Sequence, residues 1–174
     1  MTAETSSPGS RRVVSALVVD RPGTLNRIAG LLRARSFNIE SLTVGRTHEP
    51  ERSRMTIVIR GDDAHTRQVL AQLNRLVEVL DVSDLTDAGC VELELALVEL
   101  AAPTDAAAEA AVSQAMQLAG GEVLERTADS WRLRLAASPE AVESALGALR
   151  GPLLRSLVRA GSVAMAPAPT PTDS

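Results

Sequence analysis

The apolar run Val13 to Val19 breaks off at Asp20-Arg21-Pro22-Gly23-Thr24-Leu25, and apolar residues then recur at helical spacing in Leu25, Ile28, Ala29, Leu31 and Leu32. A chain that passes from strand to helix within so few residues is confined to folds in which the helix packs back on its own sheet. Pro22 is pre-set for a first helical position and has no N–H to leave unsatisfied. Gly23 has no Cβ, which lets a ligand come against the backbone N–H groups of Gly23, Thr24 and Leu25. Those donors and the helix dipole favour a carboxylate. Asp20, and Asn38 about one helix later in Phe37-Asn38-Ile39-Glu40, are side chains of the type that bind an ammonium group. Together the two sets of groups suit a free amino acid. The hexapeptide reads equally well as a plain helix start capped by Asp20.

The chain continues in the same grammar. Phe37 to Gly45 reads as a second strand, His48-Glu49-Pro50-Glu51 as a polar hairpin loop and Met55 to Ile59 as a third strand. Gly61-Asp62-Asp63 opens a helix with Val69, Leu70, Leu73, Leu76 and Val77 as its buried stripe, and Val79 to Leu85 is a final strand. This order, βαββαβ, is ferredoxin-like, with two helices on one face of a four-stranded antiparallel sheet.

After Thr86-Asp87-Ala88-Gly89 the order repeats. Val91, Leu93, Leu95 and Leu97 alternate with Glu92, Glu94 and Ala96, the period of a strand with one buried face. Thr104 to Leu118 is an alanine-rich helix capped by Thr104 or Asp105, and Gly120-Gly121 stops it. Glu122 to Arg126 and Trp131 to Ala136 form a hairpin, Ser138-Pro139-Glu140 starts a helix reaching Leu149, and Leu153 to Val158 is a last strand.

The class is therefore α+β, two ferredoxin-like βαββαβ domains in tandem at 11–85 and 91–165, joined by a linker at 86–90. The tails 1–10 and 166–174 have the Ser, Thr, Pro, Gly and Ala content of disordered segments. In the second domain the first and third strands should be antiparallel neighbours. That predicts Glu92 and Glu94 across from Arg132 and Arg134 on the solvent face.

Composition excludes several functions. With one Phe, one Trp and no Tyr the core must be aliphatic, and no surface for stacking single-stranded nucleic acid is present. All 18 basic residues are arginine, so there is no lysine for a Schiff base or a phosphate-binding P-loop. Residues 11–85 carry twelve arginines against nine acids and 86–174 six against twelve, which makes neither half basic enough to argue for nucleic acid. Cys90 stands alone and rules out an intrachain disulfide or a thiol-rich metal site, while His48 and His65 read as solvated residues. No nucleophile elbow accompanies the serines. The polar N-terminus and the charges that interrupt every apolar stretch predict neither a signal peptide nor a membrane span, and so a soluble, cytoplasmic protein.

The junction Asp20 to Leu25 resembles that of an ACT domain, the amino-acid-sensing form of the ferredoxin-like fold. The longer string Phe37-Asn38-Ile39-Glu40-Ser41-Leu42-Thr43-Val44-Gly45, with Ser53-Arg54-Met55-Thr56-Ile57-Val58 and Leu76-Val77-Glu78-Val79-Leu80, is similar to the small, regulatory subunit of acetohydroxyacid synthase (acetolactate synthase). The similarity is strong from about Arg11 to Leu85 and continues more weakly to about Met165, where Arg159-Ala160-Gly161 stands where the family tends to have Arg-Thr-Gly.

The resemblance implies a chain without chemistry or cofactor of its own. Its partner would be a large catalytic subunit carrying thiamine diphosphate, FAD and magnesium, which it activates and makes sensitive to valine or another branched-chain amino acid. It further implies a homodimer joined edge to edge through the ACT domain. The effector would lie between Asp20, Gly23, Thr24 and Leu25 of one chain and Asn38 and Ile39 of the other. The alternative is an ACT-domain sensor serving a different amino-acid enzyme. The sequence departs from the family pattern at Asp20, often Asn, at Ser36, usually Gly, and in the second domain at Leu93, Glu99 and Pro152-Leu153-Leu154.

Overall fold

The structure is a computed structural model that describes residues 10–35, 37–151 and 153–168. The expected disorder of 1–9 and 169–174 and the departures at Ser36 and Pro152 lie outside the described residues. The elements are β1 (Arg11–Val19), α1 (Thr24–Ala34), β2 (Asn38–Arg46), β3 (Arg52–Arg60), α2 (Asp63–Leu73), β4 (Val79–Asp84), β5 (Val91–Ala101), α3 (Ala106–Leu118), β6 (Glu122–Arg126), β7 (Ser130–Ala137), α4 (Pro139–Leu149) and β8 (Leu154–Met165). They form two four-stranded sheets, ordered β2-β3-β1-β4 and β6-β7-β5-β8. The tandem βαββαβ arrangement is thus the one the residue pattern predicts. The chain divides into two compact units, one running to Val91 and resuming at Ala164, the other Glu92–Val163.

The core of the first unit is aliphatic, as the composition demands. Val14, Ala16 and Val18 of β1 and Met55, Ile57 and Ile59 of β3 meet Ile28 and Leu32 of α1 and Val69 and Leu73 of α2. Alternation along each strand sends every second residue to the helices, and four-residue spacing along each helix returns the match.

Two local expectations fail in this unit. The helix starts at Thr24, not at Pro22, because Gly23 precedes it as N-cap in a left-handed conformation, φ 92°. Pro22 therefore belongs to the turn. At the other end of the helix layer α2 stops at Leu73, so Val77 leaves the predicted stripe and is 83% exposed in the turn before β4.

In the second unit β5 and β7 are antiparallel neighbours, but the pairing differs from the predicted one. Arg132 lies opposite Glu99, Arg134 opposite Leu97, and Glu94 opposite Ala137. The face is reversed as well. Glu94, Ala96, Val98 and Leu100 are buried, while Val91, Leu93, Leu95 and Leu97 are 41–63% exposed. The physical reason lies in what each row supplies: Ala96, Val98 and Leu100 join Val112 and Ala115 of α3 and Val142, Ala145, Leu146 and Leu149 of α4 in one cluster.

The carboxylate that this row buries is neutralised. Arg159 of β8 donates Nε and Nη2 to the two oxygens of Glu94 at 2.6 and 2.8 Å, and Nη1 to Glu143 at 2.9 Å. Hydrogen bonding to Glu94 raises the pKa of Arg159 above the ordinary arginine value. Arg132 and Arg134 find other acids, Glu125 and Glu122, at 2.9 and 3.0 Å.

Candidate functional site

β1 delivers the chain to the turn at 20–23, and backbone hydrogen bonds fix its entry. Val19 N–H donates to Glu78 O at 2.9 Å and Asp20 N–H to Glu51 O at 2.7 Å. Past the turn, the first full helical bond of α1 runs from Arg27 N–H to Gly23 O at 3.0 Å. Helix geometry leaves the amides before it without an intrahelical acceptor. Thr24 N–H turns back to Arg21 O at 3.2 Å, which removes one of the three donors expected for a carboxylate. The N–H groups of Leu25 and Asn26 stand at the helix end.

No side chain caps this helix. The other three helices among the described residues each have one: Asp62 accepts from His65 N–H, Asp105 from Ala108 N–H and Ser138 from Ala141 N–H, at 2.8, 2.8 and 3.3 Å. Asp20 is therefore not a helix cap. Its Oδ2 accepts from Arg46 Nε at 3.2 Å instead. Gly23 has open space where a Cβ would stand, so the approach to the helix end is clear, and its positive φ strains any other residue.

Thr24 is 6% exposed and its hydroxyl is buried without a hydrogen-bond partner. Leu25, predicted in the buried stripe, is 48% exposed, because the helix buries Thr24, Ile28 and Leu32. It offers apolar surface beside the turn. An open concavity of about 350 Å³ adjoins Asp20 and Arg46 and is bordered by the β2–β3 hairpin at Thr47, Glu49 and Pro50.

Asn38 and Ile39 lie elsewhere. Asn38 pairs with Arg60, which pairs with Arg11, whereas Arg46 pairs with Ser53, which pairs with Val18. Asn38 thus stands at the opposite end of β2 from the turn, roughly 26 Å away at about 3.3 Å per residue. Asn38 is exposed and Ile39 half-buried against the core. One chain does not bring the six candidate residues together.

Two neighbours of the turn escaped the sequence-based reading. Arg46 was visible only as a charge at the end of a strand; its place beside Asp20 depends on the register of three strands. Glu78 forms an ion pair with Arg27, Nη1 to Oε1 2.8 Å, and its second carboxylate oxygen is buried with no hydrogen-bond partner among the described residues. It ties the helix after the turn to the strand before it, which only the β1–β4 pairing reveals. Of the histidines, His65, near the start of α2, meets Phe37 edge-on at 6.1 Å, and His48 is exposed in the hairpin that borders the concavity. Among the described residues no group of three His, Cys, Asp or Glu side chains is placed to hold a metal. No helix among them is long and apolar enough to cross a membrane.

The strand order and the helices packed on each sheet define a tandem ferredoxin-like protein. Residues 14–81 match the family described as AHAS small subunit-like ACT domain. Over 155 residues the chain is 37% identical to the probable acetolactate synthase small subunit of Archaeoglobus fulgidus, a match covering 89% of this chain and 96% of that one. It is 36% identical to the acetolactate synthase small subunit of Aquifex aeolicus, over 89% of this chain and 80% of that one. The crystal structure of the acetolactate synthase small subunit from Thermotoga maritima aligns with a TM-score of 0.82 at 28% identity, covering 92% of this chain and 99% of that one. The chain belongs to the acetolactate synthase small-subunit family.

Proposed function

We propose that this chain is the non-catalytic regulatory subunit of acetohydroxyacid synthase, a cytoplasmic protein that activates the large catalytic subunit and confers feedback inhibition by valine or another branched-chain amino acid. The reacting cofactors, thiamine diphosphate, FAD and magnesium, belong in this reading to the catalytic subunit. The observation that carries the ligand reading is the helix α1: the three other helices are capped by their own side chains, and this one opens on a clear turn. A carboxylate at the Leu25 and Asn26 amides would complete it.

The distance between the turn and Asn38 favours a dimer. β2 is an edge strand, the position at which a second copy can extend the sheet. Two copies paired antiparallel along β2 would set the start of one strand against the end of the other. Asn38 and Ile39 of the partner subunit would then approach Asp20, Gly23, Thr24 and Leu25. The ammonium group lies between Asp20 and Asn38, and the aliphatic side chain rests on Leu25 and Ile39.

A ligand that touches both chains responds to dimer geometry. Coupling of about 1–3 kcal/mol between that geometry and the catalytic subunit is enough for partial inhibition. The test is reconstitution. The isolated chain, given pyruvate and all three cofactors, should form no acetolactate; added to the catalytic subunit it should raise the rate, and one of valine, leucine or isoleucine should lower it. A rate insensitive to the chain and to all three amino acids would overturn this function.

A further inference from the structure

Asp20 poses an electrostatic problem in a site that must collect a ligand carboxylate, since its own carboxylate repels one. The structure places an answer beside it. Arg46 meets Asp20 through a single bond from Nε, the inner nitrogen of the guanidinium, at 3.2 Å. The outer nitrogens, with most of the five N–H donors of the group, are not used on Asp20. The side chains of Arg46 and Asp20 are 88% and 39% exposed, and both line the same 350 Å³ concavity. An exposed pair of this kind contributes little to fold stability, so stability does not account for it.

We propose that Arg46 is a recognition residue of the amino-acid site, holding Asp20 in place and presenting its outer nitrogens to the carboxylate of the ligand. This rests on the reading of the β1–α1 turn as an amino-acid site. An amino acid is a zwitterion, and the pair matches it: the remaining Asp20 oxygen accepts from the ammonium group while the guanidinium fork takes the carboxylate, reinforcing the helix-end amides. The register positions the arginine for this. Arg46 ends β2 opposite Ser53, and Ser53 stands opposite Val18, two residues before Asp20. Arg46 also ends the edge strand of the sheet, where a second copy would pair.

The test is calorimetric titration of the full chain with L-valine and with L-valinamide, which keeps the amine and lacks the carboxylate, at a pH where both amines are protonated. Leucine or isoleucine and the matching amides replace them where they bind better. Wild type should prefer the acid over the amide; Arg46→Ala should lose about tenfold in affinity for the acid, little for the amide, and so most of that preference. Arg46→Lys should recover part of it, because an ammonium group is a point charge without the fork. Equal loss for both ligands, or an unchanged preference in Arg46→Ala, would overturn the role. No binding of any branched-chain amino acid by wild type would instead overturn the site reading, and this role with it.

Discussion

In the first unit the helix that follows the opening strand starts after Gly23, without a side-chain cap, and its end faces a clear turn. In the second unit the equivalent helix starts at Asp105, whose carboxylate takes the Ala108 N–H at 2.8 Å. Both junctions solve the same problem, the unsatisfied amides of a helix end. The second closes its end with its own residue, whereas no side chain of the described residues closes the first. Strand order is the same in both units; the cap is what differs.

The two cores should be equivalent, and substitutions in them have the largest effects. Leu32→Ala in the first unit and Leu100→Ala in the second each remove a fully buried side chain. Each should cost about 2–5 kcal/mol in chemical denaturation. A loss below about 1 kcal/mol in either would mean that its unit is not the packed body described. Next in size is Gly23→Asp, which forces a side chain into φ 92° and sets a negative charge where a carboxylate should lie. It should destabilise by about 1–2 kcal/mol and abolish amino-acid binding.

The helix starts themselves come next. Asp105→Ala should cost about 1 kcal/mol of stability and leave amino-acid binding alone, as loss of an N-cap does. Asp20→Ala should do the reverse, with stability within about 0.5 kcal/mol of wild type and binding lost. Equal stability losses at the two positions, measured by urea unfolding, would show Asp20 to be a cap after all. The smallest effect concerns Asp62, whose carboxyl is held below its usual pKa chiefly by the His65 backbone N–H. A group depressed in the folded state stabilises above its unfolded pKa and loses that contribution as pH falls through the folded value. The acid limb of the stability curve should therefore be shallower in Asp62→Asn than in wild type.

Much of this fold was legible because strand, turn and helix punctuation is local. Gly120-Gly121, Ser138-Pro139 and Asp105 mark element ends whatever the rest of the chain does. The face of β5 was not legible. Alternation fixes the period of a strand but not its phase, and the leucine row looks more buried than the row with Glu92 and Glu94. What decides the phase is remote: Arg159, far along the chain on β8, neutralises Glu94, and Ala96 lies in the cluster with the buried residues of α3 and α4.

The site shows the same division. Gly23 and the turn are a local signal, so the helix end could be named from the hexapeptide. Arg46 and Glu78 reach the turn only through strand register, and Asn38 stands at the far end of β2 from it. Glycine's role was readable, the position of Pro22 was not, because a left-handed N-cap displaces the helix start by two residues.

The most direct measurement is acetolactate formation by the catalytic subunit reconstituted with this chain or with Gly23→Asp, titrated with valine, leucine and isoleucine. Wild type should activate the catalytic subunit and then yield part of that rate to one of the amino acids, whereas Gly23→Asp should activate to a similar extent and respond to none. A Gly23→Asp complex inhibited at the same amino-acid concentration as wild type would contradict the assignment of the open helix end as the effector site.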